Sequence, residues 1–327
     1  MTNPTVQPVI HAIPIALSPT RFITFQRVTI TPGVSLQRFV GPYARGIERQ
    51  LKHFPENPEF APTHLIVINQ SKYYAALDQR LKLEGRALPR QELQHLDVNG
   101  ITRQVLISTA LVGRISWQIG GCHAINISNT SDQLRWSTPS GWFRAADGTS
   151  IQKVATSLDR YYRSGIWWNN RLSTALGYLW SALTTTHAEL SFAALCMALE
   201  ALATTANGEV THILAERCAL LSRQDGQARV QAYSDIKQLY ALRSKIVHGR
   251  AGLLRGPMTT ESLAISAKFS MVPHSKLFQL LAYVFDVILG TLKSKELILI
   301  LNTKQSDSAE SKAVDEYFQR VLLSKQA

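Results

Sequence analysis

In the second half of the chain, apolar residues recur every three or four positions, which is the spacing of one face of an α-helix. The pattern covers the segments 171–183, 189–205, 209–221, 228–249, 274–293 and 310–324. Most connections between these segments are short enough to join antiparallel neighbours. The pattern therefore predicts an all-α, up-down helical bundle.

The first half shows short runs of β-branched and aromatic residues bounded by Gly, Pro or Asn, which is typical of strands. These runs are 22–30, 64–70, 103–112 and 115–128, and residues 72–95 between them have helical spacing. The segment 129–150 is rich in Ser, Thr, Gly, Pro and Asp, as linkers are. The sequence thus predicts an α+β domain over residues 1–150, followed by the helical bundle over residues 151–327.

The net charge favours an anionic partner. The chain has 35 Lys and Arg against 23 Asp and Glu, which gives a formal charge of +12 at pH 7. Nucleic acid is the first candidate for such a partner. A basic protein with an ordinary solvated surface is the alternative, because net charge reports association and not fold.

Several functional classes are disfavoured by the composition. The three cysteines are widely spaced and form no CxxC pair, and the histidines have no metal-ligand spacing, so we expect no disulfide framework, metal or cofactor. A reducing, cytoplasmic setting follows. The most apolar run begins at Leu277, carries Asp286 and is shorter than the roughly 20 residues of a membrane span. We expect it to be a buried core helix and expect no membrane partner.

A candidate catalytic pair occurs late in the chain, in the segment LYALRSKIVHGR at 239–250. Here Arg243 precedes His248 by five positions. A bare Arg-x4-His pattern is a weak signal, because Arg90 and His95 match it as well. The context of each pair must therefore separate them.

Two further blocks precede this segment in order, ALEAL at 198–202 and LAER at 214–217. Together the three blocks resemble the helical HEPN superfamily, most closely its ApeA-like branch, over about residues 168–300. The resemblance implies a metal-independent endoribonuclease whose Arg-x4–6-His motif is usually completed across a homodimer. Carried over to this chain, Arg243 and His248 are the catalytic pair.

The same resemblance implies a biological role, because ApeA-like proteins are associated with prokaryotic defence against phages. The chain would be a toxin-like effector, held inactive until residues 1–150 detect an activating ligand or a phage component. A toxin controlled by an antitoxin remains open. So does a non-catalytic module that binds RNA, dimerises or acts as a scaffold while its first half recruits a partner.

The residue types suit RNA cleavage on chemical grounds. RNA carries its own nucleophile, the 2′-hydroxyl, and a histidine, with an unperturbed pKa of about 6.5, can move its proton near neutrality. A guanidinium is permanently charged and can donate two parallel hydrogen bonds to a phosphate. The expected products have 2′,3′-cyclic phosphate and 5′-hydroxyl ends.

Helical geometry adds detail to the candidate site. Positions five apart differ by roughly 140° around a helix, so Arg243 and His248 do not share one narrow stripe. Ser244 does share a stripe with His248, and we expect it to help orient the imidazole. Gly249 is expected to end the helix in a left-handed turn. The alternative is a structural pair, with Arg243 bridged to a carboxylate and His248 satisfying carbonyls near the helix end.

Two charged residues lie inside apolar helical patterns, Glu200 and Arg217, where charges are rarely buried unless paired. We predict an ion pair between them, with Glu216 and Asp235 as alternative partners. The competing hypothesis gives them a role in positioning Arg243.

Basic residues near the motif are candidate RNA contacts, and they fall into two groups. Lys245 and Arg250 flank the catalytic pair, and Arg160, Arg163 and Arg171 belong to the basic-aromatic segment LDRYYRSGIWWNNR. Aromatic and basic side chains together can hold single-stranded nucleic acid. Alternatively, this segment packs the first bundle helix, with its arginines reaching water.

Overall fold

The structure is a computed structural model that describes residues 10–18, 20, 23–42, 44–45, 63–83, 97–114, 116–119, 144–163, 170–185, 187–205, 210–223, 225–253, 271–273, 275–302 and 307–324. The chain divides into two units. The first unit comprises residues 1–131 and 141–163, and the second comprises residues 132–140 and 164–327.

The described strands of the first unit form one antiparallel sheet. They are β1 (Ile10–Ser18), β2 (Arg27–Thr31), β3 (Val34–Arg38), β4 (His64–Asn69) and β5 (Ser116–Ile119). Their order in the sheet is β2-β3-β4-β1-β5. Five of the six residues of β4 are buried, because this continuous apolar strand lies between β3 and β1.

Among the described residues, three helices accompany this sheet, α1 (Gln70–Leu83), α2 (Val98–Gly113) and α3 (Gly148–Arg163). Helix α3 packs against α2 and β2 and buries Ile151, Ala155 and Leu158, which lie at helical spacing. The first unit therefore extends to Arg163, past the boundary predicted at residue 150. The Gln104 side chain of α2 donates a 2.6 Å hydrogen bond to the Ala155 carbonyl of α3.

The prediction of a strand at 103–112 is wrong, because this run lies inside α2. The Asp97 side chain caps the helix by accepting a 2.8 Å hydrogen bond from Gly100 N. The Ser108 and Thr109 hydroxyls are buried, and each donates to the carbonyl four residues earlier. The cap and these bonds satisfy polar groups that a strand would have to pair elsewhere.

Strand prediction in the rest of the first half was partial. The run 64–70 is confirmed as β4, and 22–30 overlaps β2. Strand β1 was missed because Pro14 within it disfavours a strand. Pro14 is tolerated there because the ladder with β5 covers only Ile15–Ser18. Residues 84–95 and 120–128 lie outside the described residues.

The second unit is helical. The helices in its described part are α4 (Arg171–Thr184), α5 (Ala188–Ala203), α6 (Val210–Ser222), α7 (Gly226–Val247), α8 (Ser275–Lys293), α9 (Lys295–Asn302) and α10 (Asp307–Ser324). A two-residue parallel pair joins β6 (Gly252–Leu253) to β7 (Met271–Val272). All six predicted helical segments are confirmed, and α9 was not predicted. An α+β first part followed by helices is thus confirmed, whereas the up-down order stays a prediction.

Helix α5 packs against α4, α6, α7 and α8. Helix α8 is the one described helix that is long and apolar enough to cross a membrane, but 61% of its apolar window is buried inside the protein. Its Asp286 makes a 2.7 Å ion pair with Arg223. The prediction of a buried core helix at this position is confirmed.

Candidate catalytic site at the end of helix α7

The end of α7 is closed by a Schellman motif. His248 is the C-cap residue, and Gly249 follows with φ +66°. Gly249 N donates to Ile246 O at 3.0 Å, and Arg250 N donates to Lys245 O at 2.7 Å, which is the crossed pair of bonds of this motif. The predicted left-handed turn at Gly249 is confirmed. The motif fixes His248 at the last position of the helix.

The His248 side chain is exposed, as is that of Ser244 one turn earlier. Their backbones are joined by a hydrogen bond of 3.1 Å from His248 N to Ser244 O. Within the described part of the chain, the imidazole and the Ser244 hydroxyl make no hydrogen bond. The predicted bond from Ser244 to the imidazole is therefore not made in this conformation, and both groups face solvent.

The Arg243 side chain is 31% exposed and reaches towards α5. Its Nη2 atom lies 3.4 Å from Oε1 of Glu200, and its guanidinium lies 5.6 Å from the centroid of the Tyr240 ring. The Arg243 Nε atom is buried and has no hydrogen-bond partner among the described residues. One long ion pair and a ring contact thus hold a guanidinium that has five donor hydrogens.

Tyr240 completes this cluster, because its hydroxyl donates a 2.6 Å hydrogen bond to the same Oε1 of Glu200. Burial and the bond to Glu200 raise the pKa of Tyr240 to about 12, so the hydroxyl stays a donor at neutral pH. Burial likewise raises the pKa of Cys196, one turn before Glu200 on α5. The carboxylate of Glu200 is consequently oriented by one neutral donor and faces one cation.

The predicted ion pair between Glu200 and Arg217 is wrong. Arg217 Nη2 instead lies 2.6 Å from Asp315 Oδ1, and its Nη1 donates to the Ala203 carbonyl at 2.9 Å. Its guanidinium also lies 5.0 Å from the centroid of the Phe318 ring. The partner belongs to α10, far along the chain, which the sequence could not bring next to α6. Arg217 therefore joins α6 to α10 and does not contact Arg243.

Glu200 contacts Arg243, in agreement with the competing hypothesis. Tyr240 is the residue of the cluster that sequence reasoning missed. It lies three positions before Arg243, so both project from neighbouring points of one helix surface, and this spacing is the signal that could have identified it.

The candidate RNA contacts separate into exposed and structural residues. Lys245 and Arg250 are exposed on either side of His248. Arg171 is engaged within the helical unit, since its Nε lies 2.9 Å from Glu310 and its Nη2 donates to Ser311 at 2.8 Å. This arginine is a structural contact between α4 and α10.

The remaining predicted residues are wholly or partly outside the described part of the chain. Arg160 and Arg163 belong to α3 of the first unit, and their side chains lie outside the described ones. Arg90, His95 and the tryptophans at 167 and 168 lie outside the described residues.

No cluster of three or more His, Cys, Asp or Glu side chains that could bind a metal ion occurs in the described part of the chain. Comparison of the chain with family models, curated proteins and solved structures gives no match.

Proposed function

We propose that the helical unit is a metal-independent endoribonuclease with Arg243 and His248 as its catalytic residues. The observation that carries this proposal is the end of α7, where the His248 side chain is exposed and the guanidinium of Arg243, five positions earlier, is held by Glu200. Lys245 and Arg250 are exposed beside it and supply positive charge for the RNA backbone.

In the proposed reaction, His248 takes the proton of the RNA 2′-hydroxyl as its oxygen attacks the adjacent phosphorus. The bond from phosphorus to the 5′-oxygen breaks, and that oxygen leaves with a proton as a 5′-hydroxyl. The other product end is a 2′,3′-cyclic phosphate. Balance requires one general base and one general acid, and His248 from each of two copies in a homodimer supplies both.

Arg243 stabilises the negative charge that develops on the non-bridging phosphate oxygens. Its contact with Glu200, at 3.4 Å, is longer than the 2.6 and 2.7 Å ion pairs of Arg217 and Arg223. Donors on the terminal Nη atoms of Arg243, and not the buried Nε, therefore remain for a phosphate, while the carboxylate and the Tyr240 ring keep the side chain from turning away.

The biological setting of the proposal rests on the resemblance to ApeA-like HEPN proteins. The chain acts as a toxin-like effector in cytoplasmic antiphage defence. The first unit serves as the sensor for an activating ligand or phage component.

The test uses the full chain and a mixed RNA pool in EDTA, with product ends identified chemically. We expect fragments with cyclic-phosphate and 5′-hydroxyl ends, and we expect His248→Ala to abolish them. His187→Ala is the matched control, because His187 is also exposed in this unit and makes no side-chain cap. Cleavage retained by His248→Ala, or cleavage abolished by EDTA, contradicts the assignment.

A further inference from the structure

We propose that one face of α7 binds single-stranded RNA, with Tyr233 as a stacking platform for a base and Lys237 as a phosphate contact. This inference rests on the proposed function, since it gives the RNA a second point of attachment. We call the residues Tyr233, Lys237, Tyr240, Ser244 and His248 the α7 track.

Helical spacing aligns the α7 track. Its positions are separated by four, three, four and four residues, and at about 100° per residue they stay within an arc of roughly 80°. The 15 residues from Tyr233 to His248 span about 22 Å at 1.5 Å per residue. Tyr233 is therefore too far from His248 to touch the reacting phosphate, so it can affect RNA binding but not the chemical step directly.

Tyr233 is held at the surface by exposed neighbours. Its hydroxyl lies 2.7 Å from Nδ1 of His212 on α6, and the two rings meet edge to face with centroids 5.6 Å apart. Lys237 Nζ lies 5.8 Å from the centroid of the same Tyr233 ring. Both His212 and Lys237 are exposed, and Tyr233 is half-buried. A fixed ring beside a cation is the combination that binds a base and its phosphate.

The charges of α7 favour an anionic occupant. Within Gly226–Val247 the one carboxylate is that of Asp235, which accepts a hydrogen bond of 2.6 Å from Tyr283. The carboxylate of the N-cap residue Asp225 accepts a hydrogen bond from Ala228 N. Glu216, one turn after His212 on α6, is half-buried.

Single-stranded RNA fits this surface better than a duplex does. In a duplex the faces of the bases are stacked on one another and are not available to an aromatic side chain. A half-buried tyrosine ring at the surface, followed along the helix by the exposed Lys237, instead suits a strand with unstacked bases and an accessible backbone.

The test measures the affinity of a fluorescent single-stranded RNA 20-mer for the full chain in a His248→Ala background, where cleavage does not interfere. We expect Tyr233→Leu to weaken binding by roughly 5- to 100-fold, the usual range for losing one stacked base. Tyr233→Phe keeps the ring and should bind within about twofold of the parent. Tyr178→Leu, at another half-buried tyrosine of this unit, is the matched control.

Lys237→Gln should make the plot of log affinity against log salt concentration less steep, by the amount expected for the loss of about one phosphate contact. Unfolding curves check that each variant is folded. Because Tyr233→Phe removes the bond to His212 without removing the ring, it separates stacking from a structural role of the hydroxyl.

The outcomes distinguish this inference from the proposed function. If the unsubstituted chain does not cleave RNA but Tyr233→Leu weakens binding, the α7 track stands and the nuclease assignment fails. If cleavage occurs and Tyr233→Leu binds RNA as its parent does, the α7 track is overturned. Absence of RNA binding, or equal competition by a polyglutamate peptide, also overturns it, the latter in favour of an acidic protein.

Discussion

The guanidinium of Arg243 on α7 lies 3.4 Å from the carboxylate of Glu200 on α5. Tyr240 donates to that carboxylate from the same helix as Arg243, so three side chains from two helices form one polar cluster. The cluster restricts where the arginine side chain can extend. Glu200 is thus a positioning residue for Arg243.

Replacing Glu200 with Gln should lower kcat/KM for RNA cleavage by roughly 10- to 100-fold, because misplacing a catalytic group by about 1 Å has an effect of this size. The amide keeps the shape of the side chain but removes its negative charge. Cleavage kinetics and a thermal unfolding curve are the two measurements, and we expect the first to change much more than the second.

Glu310→Gln is the matched control, because Glu310 makes its ion pair with Arg171. This variant should cleave RNA normally. Unchanged or faster cleavage by Glu200→Gln would show that the carboxylate does not position Arg243 for catalysis.

The helical unit was largely predictable because each of its helices buries one face, and that requirement repeats in the sequence every 3.6 residues. The start of α5 illustrates this, since Ala188 lies one residue from the predicted start. The run 103–112 shows the limit of such reasoning. Its β-branched residues favour a strand, but the Asp97 cap and packing against α3 make it a helix.

The candidate site was likewise predictable only in part. The three ordered sequence blocks, and not the Arg-x4-His spacing alone, made Arg243 and His248 the predicted pair, whereas spacing along the helix could have identified Tyr240. The partner of Arg217 depends on α10 lying next to α6, and no local pattern encodes that contact. Ion pairs between helices distant in sequence are therefore the part that sequence reasoning could not supply.

The contact between α8 and α6 depends on Gly290. A Cβ atom at this position would lie 2.0 Å from the Leu221 carbonyl oxygen, which belongs to the backbone of α6 and cannot rotate away. Gly290→Ala should therefore lower the free energy of unfolding by about 1–3 kcal/mol, as overpacking does. Urea unfolding of the full chain measures the change.

Gly177→Ala is the control within the same unit, because we expect this substitution to stabilise the protein. A Cβ there meets no atom within 4 Å, and the position lies inside α4. Alanine should raise the free energy of unfolding by about 0.5–1 kcal/mol through its better helix propensity. A stabilising Gly290→Ala would mean that α8 and α6 are not in close contact.

Breaking the ion pair between Arg217 and Asp315 should lower the free energy of unfolding more than breaking an ion pair at the surface. The Arg217 side chain is 10% exposed, and it also binds the Ala203 carbonyl and the Phe318 ring. Because Asp315 is 35% exposed and can be hydrated, we expect Arg217→Met to cost about 2–3 kcal/mol, less than for a fully buried pair.

The same substitution at Arg320 is the control. Its ion pair with Glu296 is exposed, with the arginine side chain 63% accessible, so Arg320→Met should cost less than about 1 kcal/mol. Equal losses in the two variants, measured by urea unfolding, would argue against the role of Arg217 in joining α6 to α10.

We predict that the stability of the first unit depends on pH through His64. The residue is 2% exposed, and its Nε2 has no hydrogen-bond partner in the described part of the chain. Nδ1 lies 2.9 Å from the Thr63 hydroxyl, and Arg38 is its cross-strand neighbour. Burial, and secondarily the charge of Arg38, lower the pKa of His64 to about 4. The folded state therefore favours the neutral ring.

The pKa of His64 is lower in the folded than in the unfolded chain, where it is 6.5, so the unfolded chain binds the proton first as the pH falls. The contribution of the neutral ring to the free energy of unfolding is therefore fully present above about pH 6.5. As the pH falls from about 6.5 to 4, the free energy of unfolding decreases by roughly 3 kcal/mol in total. Urea unfolding at several pH values, with hydrogen exchange of β1, β3 and β4, should show this loss.

His64→Gln should remove that part of the pH dependence, whereas His187→Gln, at an exposed histidine, should retain it. An identical pH dependence in His64→Gln and the unsubstituted chain would mean that the folded state does not exclude the charged ring.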